Sequence, residues 1–221
     1  MELREAMAKR HSVRKYKPQP IDALMKKSMQ MKIEECNKES GLHIQLVTDE
    51  PQAFSGMKAH YGSFAGVTDY IVLVGRRGPK LEEQCGYYGE KLVLFAQQLG
   101  LNSCWVVMTY SKVKTAFEVK GDEKVVAVIA LGYGETQGTP HKSKPLDKVC
   151  KANGQMPDWF KNGLEAALLA PTAMNQQKFV FAYSGNCVKA KPGMGFCTKI
   201  DLGIAKYHFE IGAGKDNFVW G

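Results

Sequence analysis

The longest uninterrupted apolar run in the chain is Val125–Leu131, reading Val-Val-Ala-Val-Ile-Ala-Leu. It carries no alternation of polar and apolar positions, and most of it is β-branched or small. A strand with one face in water alternates, so a strand without alternation is buried. A bilayer-spanning helix needs about 20 apolar residues, so this run is too short for one. Tyr70–Val74, held between Asp69 and Gly75, is a second buried strand of the same kind.

The rest of the chain supplies helices and shorter strands around these two. Leu81–Leu99 sets Tyr88, Leu92, Phe95 and Leu99 on one stripe, and Gly100 ends it. Further helices are predicted over residues 2–10, Asp22–Lys38, Ser111–Val119 with Ser111 as N-cap, Pro157–Ala170 and Lys199–Ile211. Strands are predicted at His43–Val47, Ser103–Val107, Phe179–Tyr183 and Asn217–Trp220, and loops at His11–Pro20 and Asn186–Thr198. Pro51–Gly66 reads as loop with a short helix. The order is α+β, with strands often following strands. Glu135–Gln155 is rich in Gly, Pro, Lys and Ser and lacks periodicity. It reads as a connector between a first portion, 1–150, and a shorter second portion, 151–221. The second portion echoes the first: Leu92, Phe95, Leu99 and Gly100 recur as Ile204, Tyr207, Ile211 and Gly212 at an offset of 112.

Apolar residues are 44% and charged residues 24%, which excludes a disordered chain. The net charge of +8 favours anionic partners. Lys and Arg are dispersed, without helix-turn-helix, zinc or RNA-binding signatures, so no nucleic-acid partner is expected. Residues 1–20 hold no apolar stretch suited to a signal peptide, and no membrane partner is expected. The six cysteines, Cys36, Cys85, Cys104, Cys150, Cys187 and Cys197, form no CxxC pair. Reduced thiols in a cytoplasm and no bound metal follow.

Four segments carry chemistry. In Arg10-His11-Ser12-Val13-Arg14 an extended backbone would turn alternate residues to one side, so Arg10, Ser12 and Arg14 can converge. Two planar guanidiniums and a hydroxyl suit a phosphate. The bland reading is a solvated basic loop. Ala170-Pro171-Thr172-Ala173-Met174-Asn175-Gln176-Gln177 follows a helix. Its small residues allow close approach of a flat ligand, and its amides can read a heterocycle edge. The alternative is a Pro-stopped helix and a polar turn. Tyr87–Val107 reads as a core helix and core strand, and His141-Lys142-Ser143-Lys144-Pro145 as a basic linker.

Taken together these segments resemble the nitroreductase family of FMN-dependent oxidoreductases. Arg10, Ser12 and Arg14 match its flavin-phosphate segment, with His11 as a further flavin contact. Pro171, Thr172, Ala173, Asn175 and Gln177 match its flavin-lining segment. Leu99–Trp105 matches its LGLGxCW segment, including Trp105, and Lys142 and Lys144 resemble its late basic pair. Lys58 stands where the family often places another flavin contact. The resemblance implies a nitroreductase-like fold with a central, mainly antiparallel sheet flanked by helices. It also implies FMN as cofactor, NAD(P)H as co-substrate, and a nitro, quinone or similar small-molecule acceptor. No residue reads as an obligatory acid or base, because the flavin carries the chemistry. Two departures stand out. Lys178-Phe179 replaces the family's Pro-Trp, and the flavin-lining segment sits at 171 instead of a few tens of residues after Arg14. The displaced motif implies two unequal halves in one chain, an internal pseudo-dimer sharing one flavin, as monomer or homodimer. The alternatives are a flavin carrier or sensor without turnover, and a basic nucleic-acid-binding module.

Overall fold

The computed structural model describes residues 1–151 and 156–221. Two helices open the chain, α1 (Leu3–Lys9) and α2 (Ala23–Ser40). The Asp22 carboxylate caps α2 by accepting from the Leu24 N–H at 2.8 Å, and Gly41, at φ +70°, ends it in the left-handed conformation. The first sheet joins β1 (Gln45–Val47), β2 (Asp69–Arg76), β3 (Asn102–Val106) and β4 (Glu123–Gly132) in the order β1-β2-β4-β3, antiparallel throughout. The short α3 (Met57–Tyr61) precedes β2, and α4 (Leu81–Gln98) links β2 to β3.

This sheet explains why the two longest apolar runs do not alternate. Ile71 and Leu73 of β2 and Ala127 and Ile129 of β4 pack with Met29, Ile33, Leu92 and Val93 of α2 and α4. Tyr70, Val72 and Val74, with Val128 and Ala130, pack on the other face with Val13, Tyr16 and Phe54. Both faces are thus dry, and each buried aliphatic side chain contributes about 1.5–3 kcal/mol.

The remaining strands form a second sheet. Strands β5 (Cys150–Lys151), β6 (Phe179–Ser184), β7 (Cys187–Pro192) and β8 (Val219–Trp220) follow in that order. The β6–β7 pair is antiparallel, and the outer pairs are parallel. Helices α5 (Asp158–Ala167) and α6 (Thr198–Ala213) supply the core of this sheet, where Phe160, Leu164 and Phe209 meet Phe181, Val188 and Val149.

Two segments differ from expectation. Ser111–Val119 is not a helix but a chain of turns. Its backbone is held from outside: Ser111 N–H donates to Ala53 O at 2.8 Å, and Gln45 both accepts from Glu118 N–H and donates to Glu118 O. Val113, Thr115 and Val119 add β-branched resistance to a helix. Asn186–Thr198, expected as loop, contains β7. Gly185-Asn186 makes the two-residue turn of a hairpin, with Gly185 at φ +58°. The connector ends in Cys150–Lys151 of β5, and its residues 152–155 lie outside the described residues.

Helices α4 and α6 cross with their backbones touching. A Cβ on Gly86 would lie 2.1 Å from Ile200 O, and one on Gly203 would lie 2.0 Å from Glu83 O. The two contacts mirror each other, each glycine meeting the carbonyl three residues before the other. The two glycines stand 117 positions apart (203 − 86), as do the starts of the two helices (198 − 81). The side-chain echo along the sequence has an offset of 112 instead.

Candidate functional site

Residues 10–16 run beside β3. Ser12 bridges Ser103 in parallel, and Val13 N–H donates to Ser103 O at 3.1 Å. Val13 enters the core while its neighbours Ser12 and Arg14 line the cleft, as alternation requires, and Arg10 and Tyr16 are buried as well. On the opposite side, the chain leaves α5 and turns at Pro171–Gln177. Between these two segments lies a cleft in two compartments. The polar one, about 280 Å³, is lined by Arg10, His11, Ser12, Arg14, His141, Thr172 and Asn175 among others. The apolar one, about 370 Å³, is lined by Trp105, Val107, Pro171, Ala173, Ile200 and Ile204 among others. Ser12, Arg14, Pro171, Thr172 and Met174 line both, so the compartments are continuous. Segments some 160 positions apart in the sequence thus meet at one place.

Among the described residues, none that lines the polar compartment is acidic. Arg10 is its deepest cation, only 3% exposed, and its buried Nε has no hydrogen-bond partner among the described residues. Its Nε stands 3.8 Å from Glu90 Oε1, an ion pair without hydrogen-bond geometry. Burial pulls the Arg10 guanidinium below its ordinary value, and Glu90 opposes the shift. Glu90 is itself fixed by Trp105 Nε1 at 2.9 Å and His208 Nε2 at 2.9 Å. His208 Nδ1 lies 3.1 Å from Ala166 O, a pure acceptor, so Nδ1 carries a proton. A buried arginine with unspent donors is costly unless an anion completes it. His11 is held below the usual imidazole range, first by burial and then by Arg10 and His141.

The 171–177 turn is strained. Met174, Asn175 and Gln177 lie at φ +50°, +52° and +43°, the left-handed region that L side chains avoid. Buried Gln177 holds them, donating to Lys142 O at 2.8 Å and Asn175 Oδ1 at 2.6 Å and accepting from Lys144 N–H at 2.8 Å. Asn175 Nδ2 also donates to Lys142 O at 2.9 Å. Gln177→Ala should cost about 2–3 kcal/mol by stranding these partners. A fall in the chemical-denaturation midpoint at unchanged slope checks it.

The structure separates some residues that the sequence grouped. Gln177 sits behind the turn and lines neither compartment. Lys142 contributes its carbonyl, and the Lys144 ammonium donates to Gln176 O at 2.6 Å, so neither charge lines the cleft. Lys58 is exposed on α3, which docks through Ala59, and it too lies outside the lining. Sequence reading also missed lining residues: Met108 from the end of β3, and Phe196, Cys197, Ile200, Asp201 and Ile204 around the start of α6. Met108, Met174 and Phe196 are exposed there, an apolar rim on an open mouth. Only positive φ at Cys197 (+59°) marks this stretch as unusual, and φ is not visible in a sequence.

No three His, Cys, Asp or Glu side chains among the described residues gather as a metal site. No helix among them is long and apolar enough to cross a membrane.

Residues 2–213 match the family described as "Putative TM nitroreductase". The fold is similar to the crystal structure of a "putative nitroreductase" from Thermotoga maritima, at TM-score 0.68 and 22% identity over 98% of this chain and 85% of that one. A variant of the FMN and NADPH-dependent nitroreductase NfnB from Sphigopyxis sp. strain HMH gives 0.55 and 18% over 70% and 100%. A nitroreductase family protein from Streptococcus pneumoniae gives 0.53 and 15% over 69% and 100%. Among curated proteins none matches. At these identities the structural likenesses establish the fold.

Proposed function

Because the chain belongs to the nitroreductase family whose match spans residues 2–213, we propose that it is an FMN-dependent NAD(P)H oxidoreductase using the cleft between Arg10–Arg14 and Pro171–Asn175. One observation carries this reading: among the described residues, a buried arginine whose Nε has no hydrogen-bond partner stands in a compartment lined by no acid, and that compartment adjoins an apolar slot. A dianionic phosphate on a flat ring has that same division. Arg10, Ser12 and Arg14 would hold the phosphate, with His11 beside it. Pro171, Ala173, Trp105 and Ile204 would bound the ring, and Thr172 and Asn175 would meet polar atoms where the compartments join. Arg14 lines both compartments, so it is the cation placed to favour negative charge at the ring edge. The chemistry supplied by bound FMN is hydride uptake from NAD(P)H and delivery of electrons to a nitro, quinone or similar acceptor. The chain's part is to bind, orient and leave the rim of Met108, Met174 and Phe196 open to both substrates. Six free cysteines fit a reducing compartment such as the cytoplasm.

We further propose that two unequal halves, meeting near residue 150, act as an internal pseudo-dimer with one flavin. Shifting the α6 lining by 117 turns Cys197, Ile200, Asp201 and Ile204 into Lys80, Glu83, Gln84 and Tyr87. Those residues line a separate cavity of about 310 Å³ beside Trp220. The chain's own side chains engage one another along that cavity's lining. Lys206 Nζ stands 4.5 Å over the Trp220 ring, and Tyr87 and Trp220 both donate to Glu210. Titration of the purified protein should therefore saturate at one FMN per chain, and two would sink the single-site idea. Steady-state NADPH oxidation with a nitroaromatic or quinone should follow loading. A flavin-loaded protein that never turns over would be a carrier instead.

A further inference from the structure

Asp201 belongs to no part of the function argued so far. It lies in the first turn of α6, 2% exposed, and lines the apolar compartment. Both of its oxygens are engaged by the strained turn: Oδ1 accepts from the Ala173 N–H at 2.9 Å, and Oδ2 accepts from Gln176 Nε2 at 2.7 Å. Gln176 cannot turn its amide to suit a different partner, because Nε2 also donates to Phe196 O at 2.6 Å. The carboxylate therefore ties together the turn that carries Pro171–Asn175, the start of α6, and the Phe196 rim. A left-handed Met174-Asn175 pair needs such restraint to persist.

We infer that Asp201 is a positioning residue of the cleft: its carboxylate holds the Ala173–Gln177 turn in its left-handed shape, and the hold weakens when the carboxylate takes a proton. This rests on the cofactor reading above only for what the turn presents. Hydrogen bonds to an ionised acceptor are roughly twice as strong as neutral ones, so protonation weakens both contacts at once. Burial pushes the Asp201 carboxyl up to about 6, although the Ala173 and Gln176 bonds pull the other way. The change thus falls near neutral pH. Charged and titratable groups face Asp201 from several elements. Arg14 lines the same compartment as a permanent cation, and burial raises the neighbouring Cys197 thiol to about 11. Glu82 of α4 acts on that thiol, and Lys178 passes beside Gly195.

Asp201→Asn keeps the size and one acceptor but removes the charge. FMN dissociation constants are measured for both proteins from pH 5 to 7.5. His11, which burial holds below the usual imidazole range, and the flavin phosphate are shared by both proteins. The informative quantity is the ratio of the two constants. It should be about tenfold at pH 7.5 and approach one at pH 5, where the natural residue is itself neutral. In the protein without FMN, the Ala173 amide resonance should titrate with a midpoint near 6 and lose that titration in the variant. A ratio constant with pH, or an Ala173 amide that does not titrate, overturns the role of Asp201. Absence of FMN binding at every pH, with the Ala173 amide titrating as expected, overturns the cofactor reading and leaves the hold on the turn standing.

Discussion

Arg10→Ala is expected to weaken FMN binding by about 100-fold or more, from the loss of charge-assisted bonds worth about 1.5–3 kcal/mol each. The guanidinium is buried and lines a compartment with no acid among its described lining residues, and its Nε has no hydrogen-bond partner among the described residues. Its Nε faces Glu90, so the terminal nitrogens are the donors left for an anion. The substitution also removes the cation beside Glu90, which keeps its bonds to Trp105 and His208. Some loss of stability follows, so fluorescence titration with FMN is read only where circular dichroism shows the variant folded. Arg10→Lys should recover part of the affinity, because it restores charge without the planar fork. An alanine variant that is folded and binds FMN within threefold of the parent would remove Arg10 from the site.

Gly203→Ala is expected to be the most damaging single methyl in the molecule. The added Cβ would stand 2.0 Å from Glu83 O and 2.7 Å from Tyr87 N, both backbone atoms of α4 that no side-chain rotation can clear. Helices α4 and α6 would have to separate, and their joint contacts with both sheets would loosen. A destabilisation of about 3 kcal/mol or more is expected, at the upper end of overpacking effects. For a chain of this size that lowers Tm by about 6–12 °C. Gly121→Ala is the control, since nothing lies within 4 Å of its Cβ position. A Gly203→Ala protein melting within 2 °C of the parent would show that the crossing is not tight.

The two effects lie on different levels of the chain. Arg10 could be read as a candidate because guanidinium and hydroxyl groups at alternating positions carry a chemical pattern within five residues. Gly203 could not, because its role is set by the approach of a helix more than a hundred positions earlier. The same division runs through the fold. The buried strands at Tyr70–Val74 and Val125–Leu131 and the helix at Leu81–Gln98 were legible from local pattern. Ser111–Val119 misled, because its backbone partners, Ala53 and Gln45, belong to distant segments. Strand β7 carried a readable sign in Gly185-Asn186, yet the many Gly, Pro and Lys residues around it read as loop.

The site shows the boundary most sharply. By itself the sequence determined that a basic, hydroxyl-bearing segment stands near one end and a small-residue, amide-bearing segment near the other. It also determined that long apolar strands separate them. Tertiary structure alone decided that the two segments share a cleft and that Arg10 is buried there with no hydrogen-bond partner for its Nε among the described residues. It alone turned Lys142, Lys144 and Gln177 to building the turn, and Asp201 inward to hold it. The physical reason is one of range. Side-chain chemistry and hydrophobic period are properties of neighbours along the chain. Burial, hydrogen-bond partnership and the direction of a charge belong to whatever the fold brings alongside.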